Sequence, residues 1–106
     1  MFLERMMKRM IEFLNRLNIS KETIEYLDQN LSANDKMSLE DNEEECIKTL
    51  ILFKTLGINN YEELLKYETY IFYKPTDTIY YELNKENLED AIREINDDYS
   101  MIEEYI

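Results

Sequence analysis

Residues that interrupt helices are almost absent from this chain. Gly57 and Pro75 are the only glycine and the only proline among 106 residues. Because these two residue types mark turns and loops more strongly than any others, their scarcity favours helices joined by short connections. A chain of this length forms one domain, so residues 1–106 are taken as a single domain. The predicted fold is α+β but mostly helical, with about five helices and one β-hairpin before the last helix.

Two helices are predicted in the first third of the chain. Over residues 2–17, apolar side chains fall on one half of the helical wheel and charged side chains on the other, which predicts an amphipathic helix. Ser20 is a suitable N-cap for a second helix over 21–31. The first helix is basic and rich in methionine, so it is expected either to pack into the core or to contact a partner.

The middle of the chain is predicted to hold one long helix and one short helix. Residues 32–35 indicate a loop, after which Ser38 is expected to cap a helix that ends at Gly57. The second half of that helix is apolar on nearly every side, which is typical of a helix at the centre of a core. A short helix over 59–67 follows.

Residues 69–83 have the composition of a β-hairpin. Aromatic and β-branched residues flank a short turn that contains proline, which predicts strands 69–74 and 78–83. Alternation along these strands gives both faces apolar or aromatic side chains. Because a two-stranded hairpin is only marginally stable in water, one face is expected to pack on helices and the other to make contacts.

Asn84 is expected to cap the last helix. Six apolar residues then recur at alternating spacings of four and three, which is the pattern of a coiled-coil seam. The alternative is that Ser100 caps a separate last turn. The hairpin and the seam offer more apolar surface than a small monomer covers easily, so we expect a homodimer. The residues expected to mediate self-association are Tyr70, Tyr73, Tyr80, Ile95, Tyr99 and Ile102.

Negative charge is concentrated in two blocks of the sequence. The chain carries 24 acidic and 12 basic residues, which gives a formal net charge of −12. Residues 22–45 hold nine acidic residues and one basic residue, and residues 84–106 hold eight acidic and two basic residues. Self-repulsion of this much charge costs stability, so its retention favours a use in binding.

The predicted binding surface takes acidic residues from both blocks. Glu40 and Asp41 lie in the first turn of the predicted third helix, where they interact favourably with the helix dipole. The next three carboxylates lie beyond that turn and are expected to face water. In the last helix a rough row of carboxylates lies opposite the apolar seam. The predicted partner-binding residues are Glu40, Asp41, Glu43, Glu44, Glu45, Glu86, Asp90, Glu94 and Asp97.

The residue types that most catalytic and cofactor sites need are missing. The chain has no histidine, and with one glycine it cannot form a glycine-rich phosphate loop. Cys46 is the only cysteine, which excludes an intrachain disulfide and a thiolate zinc cluster. No catalytic residue, metal ligand or cofactor is therefore predicted, and we expect a non-enzymatic protein of the cytoplasm. Charged residues interrupt the N-terminal apolar segment, so neither a secretory signal nor a membrane span is expected.

These observations favour a protein that works by binding another protein. Direct binding of nucleic acid is not expected, because a basic face is needed to contact phosphates. The leading hypothesis is an inhibitor or regulator whose acidic surface resembles a nucleic acid and occupies the basic groove of a nucleic-acid-handling protein. Inhibitors of host defence nucleases from phages or mobile elements, including the anti-CRISPR type, work in this way. Alternatives are an immunity protein for a nuclease toxin, and a structural or assembly oligomer whose acids only keep it soluble.

Overall fold

The described part of the chain, residues 13–106 of a computed structural model, is built from helices. Helical residues 13–16 are followed by α1 (Lys21–Asn30), α2 (Ala33–Asp41), α3 (Glu43–Leu56), α4 (Tyr61–Tyr67), α5 (Thr76–Leu83) and α6 (Leu88–Asp97). One 3₁₀ segment, Thr69–Tyr73, joins α4 to α5, and a second, Tyr99–Glu104, follows α6. None of these helices is long and apolar enough to span a lipid bilayer. Most of the predicted helix over 2–17 lies outside the described residues.

Several helix ends lie where the sequence places them. Ser20 Oγ accepts a hydrogen bond from the N–H of Thr23 (3.3 Å), which confirms the predicted cap of α1. Gly57 ends α3 with a φ of 84°, a left-handed conformation that only glycine adopts without strain, and this prediction is also confirmed. Asn18 has a φ of 61° just after helical residues 13–16 and turns the chain towards α1.

The single long helix predicted from Ser38 to Gly57 is wrong, because α2 and α3 occupy its place. Ser32 caps α2 by accepting the N–H of Asp35 (3.1 Å), so the predicted loop over 32–35 is mostly helical. Asn42 separates the two helices, and its side-chain amide donates to the carbonyl oxygen of Ser38 (2.8 Å). An asparagine that bonds to the nearby backbone in this way competes with a continuous helix.

The predicted β-hairpin is also wrong. Its first strand, 69–74, is replaced by the 3₁₀ segment Thr69–Tyr73, and its second strand, 78–83, lies within α5. The residues that the structure describes contain no strand, so the α+β prediction is corrected to an all-helical fold for that part of the chain.

Packing explains why these aromatic and β-branched residues do not form strands. Ile79 and Leu83, four residues apart, are fully buried, whereas Tyr80 and Tyr81 between them are exposed. Four-residue spacing of the buried side chains is the period of a helix, and strand alternation would place Tyr81 on the same face as Ile79. Burial of this helical stripe therefore outweighs the strand propensity of the segment.

The predicted seam over the last helix is broken after α6. Asn87 caps α6 through its side-chain oxygen, while Asn84 ends α5 instead of starting the last helix. The carboxylate of Asp98 accepts the N–H (3.0 Å) and the hydroxyl (2.7 Å) of Ser100, and this starts the second 3₁₀ segment. A separate last turn is therefore present, as in the alternative prediction, but its cap is Asp98 and the prediction of Ser100 as the cap is wrong.

α3 is the central helix of the described residues, as the sequence predicts. It packs against α2, α4, α5 and the first 3₁₀ segment. Cys46, Leu50 and Phe53 are fully buried along one stripe, and the ring of Phe53 meets that of Phe72 edge to face with centroids 5.7 Å apart. The helix is not covered on every side, since Ile51 is exposed.

Two alanine substitutions in α5 separate the helix from the predicted strand. Ile79→Ala is expected to lower the free energy of unfolding by about 2–5 kcal/mol, because it leaves a cavity in the core. Tyr81→Ala is expected to cost less than about 1 kcal/mol, because the side chain is 63% exposed. Chemical denaturation measures both values. Equal costs for the two variants would support a strand, in which both side chains share one face.

Candidate functional site

The first acidic block lies at the corner where α2 ends and α3 begins. Glu43, Glu44 and Glu45 form the first turn of α3, where carboxylates interact favourably with the helix dipole. The expectation that these three residues lie beyond a capping turn is therefore wrong. Part of the charge that the sequence left unexplained has a structural cause, namely the second helix start within the block.

Glu45 contacts another helix and does not simply face water. Its Oε2 accepts the N–H of Thr76 (2.7 Å) and the hydroxyl of the same residue (2.9 Å). Thr76 is the first residue of α5 and follows Pro75, which has no side-chain acceptor to cap that helix. These hydrogen bonds, the backbone one first, hold the pKa of Glu45 below its ordinary value. Glu45 therefore caps α5 from a distant position in the sequence.

The remaining acids of the first block differ in how far they are engaged. Glu43 pairs with Arg16 (3.3 Å), and Glu44 lies 3.8 Å from the ammonium of Lys48. Glu40 is half-buried, whereas Asp41 is exposed. Pairs this exposed contribute little to stability, so the carboxylates of Asp41 and Glu44 are the ones most available to a partner.

The second acidic block runs along α6 and the residues on either side of it. Asp90 pairs with Arg93 (2.9 Å), and the Tyr105 hydroxyl donates a short hydrogen bond to the Glu94 carboxylate. That hydrogen bond raises the pKa of Tyr105 to about 12. Glu86 and Asp97 are exposed. Of the four predicted contact residues in this block, these two present the most carboxylate surface.

The end of α6 and the first acidic block lie at opposite ends of α3. Asn96, near the end of α6, accepts the N–H of Asn59 (2.8 Å) and donates to the carbonyl oxygen of Gly57 (2.9 Å). The C-terminal end of α6 is thus attached to the loop that follows α3, whereas the first block lies at the start of α3. A helix of 14 residues is about 21 Å long, so the C-terminal end of α6, where Asp97 lies, is on the order of 20 Å from the first block.

A polar groove that the sequence did not reveal lies where α1 packs against α4. Its volume is about 310 Å³. Glu62 joins the two helices, because its Oε1 accepts the hydroxyls of Ser20 (2.5 Å) and Thr23 (2.6 Å). Burial opposes the ionisation of Glu62, but these hydrogen bonds outweigh it and lower its pKa. The lining residues are Ser20, Glu22, Thr23, Asn59, Tyr61, Glu62, Glu63 and Lys66.

Three tyrosines continue this surface along α1 and α4; we call Tyr26, Tyr67 and Tyr99 the tyrosine row. The rings of Tyr26 and Tyr67 meet edge to face with centroids 5.4 Å apart, and the rings of Tyr67 and Tyr99 stack at 5.2 Å. Lys66, which also lines the groove, has its ammonium 5.9 Å from the Tyr26 ring centroid and 5.2 Å from that of Tyr67. The groove and the row therefore form one continuous face.

A pair of carboxyl groups lies beside the tyrosine row. Glu68 follows Tyr67 in the chain and is only 7% exposed. Its burial and the neighbouring carboxyl of Glu103, to which it is hydrogen-bonded, raise the pKa of Glu68 to about 7. Burial also raises the pKa of Tyr70, which hydrogen-bonds Glu68. Two carboxyl groups bond to each other only while one of them holds a proton, so the pair shares a proton near neutral pH.

The residues predicted to mediate self-association fall into two groups. Ile95 and Ile102 are fully buried within the chain, so their side chains have no surface to give to a second copy. Tyr73 is half-buried, and its hydroxyl donates to the carbonyl oxygen of Asp35 (3.1 Å). Tyr70 and Tyr80 are exposed, whereas Tyr99 is half-buried in the tyrosine row. The homodimer stays a prediction, although the described residues form neither the continuous seam nor the hairpin that motivated it.

The described residues offer little for metal or covalent chemistry. Among residues 13–106 no group of three or more potential ligands is placed to hold a metal ion. Cys46 is buried, and desolvation raises the pKa of its thiol to about 12, which leaves almost no thiolate at neutral pH. No protein family, curated protein or solved structure gives a match to this chain. Its function is therefore argued from the geometry of its surface.

Spacing in the sequence could not reveal the α1–α4 face. Glu62 meets Ser20 and Thr23, and Tyr67 meets Tyr26, only because α1 packs on α4, and thirty residues lie between the two helices. The abundance of tyrosine near residue 70 predicts a contact surface, but on a hairpin and not on α4. Glu68 carries no distinguishing pattern, because an acidic residue after a helix is ordinary.

Substitution of two neighbouring glutamates tests the cap of α5. Glu45→Ala is expected to lower the melting temperature, because it removes the acceptor of the Thr76 N–H. Glu44→Ala, the matched control in the same helical turn, should change it little. Because the pKa of Glu45 is lowered from 4.5, its contribution is present above that pH and lost as the pH falls further. A difference between the variants that persists in strong acid would contradict this assignment.

Glu68 and Glu62 should affect stability with opposite dependence on pH. The folded chain holds the Glu68 proton more tightly than the unfolded chain, so this contribution is complete below pH 4.5 and lost as the pH rises through about 7. Glu68→Gln should therefore lose less stability than the parent between pH 5 and 8, by on the order of 2 kcal/mol. Glu62→Gln is the control, since its lowered pKa makes it harmful above pH 4.5 and harmless in acid. Denaturation curves across this range measure both, and parallel profiles for Glu68→Gln and the parent would refute the buried pair.

Proposed function

We propose that this chain is a non-enzymatic binding protein that presents carboxylates to the basic groove of a nucleic-acid-handling protein. The observation that supports it is the number of exposed acids that form no ion pair with another described residue. Twelve carboxylates belong to this group: Glu22, Glu25, Asp35, Asp41, Glu63, Asp77, Glu86, Glu89, Asp97, Asp98, Glu103 and Glu104.

Part of this charge has a structural cause. Glu22, Asp35, Glu63, Asp77 and Glu89 lie in the first turns of helices, where carboxylates interact favourably with the helix dipole, and the remaining acids of the group lie outside these turns. Like charges on one small domain repel, and each addition of negative charge makes the compact state less favourable. Asp97 lies in the last turn of α6, where a carboxylate interacts unfavourably with the helix dipole and no basic residue compensates. Glu45 and Glu62 have structural roles, so they are set apart from this group. The charge of the exposed acids outside the helix starts is thus better explained by binding to a partner than by a contribution to stability.

The placement of the charge suits a groove and not a point contact. Exposed acids occur at the start of α3 and along α6, whose C-terminal end lies on the order of 20 Å from the start of α3. Glu22 and Glu63 add negative charge at the α1–α4 groove. A nucleic-acid strand presents one charge per roughly 3.4 Å, so a protein that binds nucleic acid offers basic side chains over comparable lengths. Such a surface would attract this chain at long range and speed its association.

The finer class within this proposal follows from competition. A protein that occupies a nucleic-acid groove excludes nucleic acid from it, which is the action of an inhibitor of a host defence nuclease from a phage or mobile element. An immunity protein would act in the same way on a nuclease toxin. Both settings place the chain in the cytoplasm with its target and require no catalytic group.

Affinity capture from a lysate of the source organism tests the proposal. The immobilised chain should retain a nucleic-acid-handling protein, which duplex DNA or RNA and about 0.5 M salt should each release, because the contacts are charged and screened by ions. Mass spectrometry identifies the protein, and a fluorescent oligonucleotide then measures competition with the purified target. A target that binds the chain and the oligonucleotide together would overturn the proposal.

Charge-neutral variants show which acids make the contact. Asp41→Asn with Glu44→Gln tests the first block, and Glu86→Gln with Asp97→Asn tests the second. Each pair leaves the structural contacts of Glu45 and Glu94 unchanged. Asp77→Asn with Glu82→Gln is the matched control, because it removes two acids that lie outside both blocks. The association rate with the target should fall more for at least one block variant than for the control variant. If all three variants associate as fast as the parent, the acids only solvate the chain.

A further inference from the structure

The tyrosine row is a surface held in place from three parts of the chain. Tyr26 comes from α1, Tyr67 from the end of α4 and Tyr99 from the second 3₁₀ segment. Ring contacts at 5.4 and 5.2 Å fix their orientation, yet Tyr67 remains 48% exposed. Large side chains that are both ordered and exposed carry much of the binding energy in protein interfaces.

Negative charge surrounds this row. Glu63 lies one turn before Tyr67 on α4, and Glu22 lies one turn before Tyr26 on α1. Beyond Tyr67 comes the carboxyl pair of Glu68 and Glu103. The row therefore has carboxylates at both ends. Among the described residues, Lys66 is the basic side chain that lies over its rings.

Lys66 shows that the ring faces attract a cation. Its ammonium lies within 6 Å of the centroids of both Tyr26 and Tyr67, which is the range of a cation–π interaction. A single flexible lysine covers only part of two rings. The exposed part of Tyr67 and the nearby carboxylates remain for a cation supplied from outside.

We propose that the tyrosine row and its flanking carboxylates bind arginine side chains of the basic partner. The inference rests on the proposed function and names the contact that the partner makes. Arginine fits better than lysine, because its planar guanidinium stacks on aromatic rings, is weakly hydrated and bonds carboxylates with two donors at once. A second copy of this chain fits worse, because it would bring Glu63 and Glu103 of the two copies towards each other.

Two basic peptides of equal length test this contact directly. A nona-arginine and a nona-lysine peptide have the same formal charge but differ in their ability to stack. At 0.15 M salt the chain should bind the arginine peptide several times more tightly, and NMR shifts should centre on the three rings of the row. Equal affinities for the two peptides would overturn the proposal, because charge alone would then account for binding.

Ring substitutions provide the matched controls. Tyr67→Leu combined with Tyr99→Leu should weaken arginine-peptide binding about tenfold and abolish the preference over lysine. Tyr67→Phe keeps the ring and should retain the preference, which also guards against loss of fold in the leucine variant. Tyr81→Leu on α5 removes a ring that is more exposed than Tyr67 and also has a lysine over it, at 5.8 Å, but belongs to no row. If Tyr81→Leu lowers affinity as much as the row variant does, the proposal is wrong.

The outcomes separate this inference from the proposed function. A captured nucleic-acid-handling protein that binds Tyr67→Leu with Tyr99→Leu as well as the parent would refute the arginine contact and leave the acidic function standing. An arginine preference that depends on the row, in a chain that competes with no nucleic acid, would support the contact and refute the function. Melting temperatures of all variants are measured alongside, so that unfolding is not read as lost binding.

Discussion

The hydrogen bonds between Glu45 and Thr76 fix the start of α5 against the start of α3. The first N–H groups of a helix need acceptors, and Pro75 has no side-chain acceptor to offer at the start of α5. The Glu45 carboxylate provides one from the first turn of α3. With that end fixed, α5 places Ile79 and Leu83 in the core and leaves its tyrosines outside. This contact and the burial of Ile79 and Leu83 together favour a helix where the local sequence favours a strand.

Local features of the fold could be predicted, and features that depend on distant contacts could not. Ser20 and Gly57 act on their own neighbours, so their positions alone identified the start of α1 and the end of α3. The division at Asn42 was missed, because a helix that continues and a helix that restarts have the same apolar pattern there. The hairpin failed for a different reason. Aromatic and β-branched residues fit a strand locally. What decides against it is burial of Ile79 and Leu83 against distant parts of the chain, together with a cap 31 residues away.

The candidate surface was predictable in charge but not in arrangement. Exposure of Asp41, Glu86 and Asp97 was predictable, because unpaired carboxylates are rarely buried. No pattern indicates that Glu45 and Glu94 form hydrogen bonds to other elements, and the α1–α4 face exists only after the helices pack. The molecule therefore divides its acids between two kinds of work. Some satisfy helix ends and hydroxyl groups inside the chain, and a larger number remain on the outside with no counter-ion among the described residues.

The carboxyl pair of Glu68 and Glu103 has a consequence for how the molecule responds to its own charge. A formal net charge of −12 counts Glu68 as ionised, but its pKa of about 7 means that the site is occupied by a proton for much of the time near neutrality. Occupancy of such a site depends on the surrounding potential. When other carboxylates make the surroundings more negative, the pair gains a proton; when a cation comes close, it releases one. The net charge of this face therefore changes with the charges that surround the Glu68–Glu103 pair.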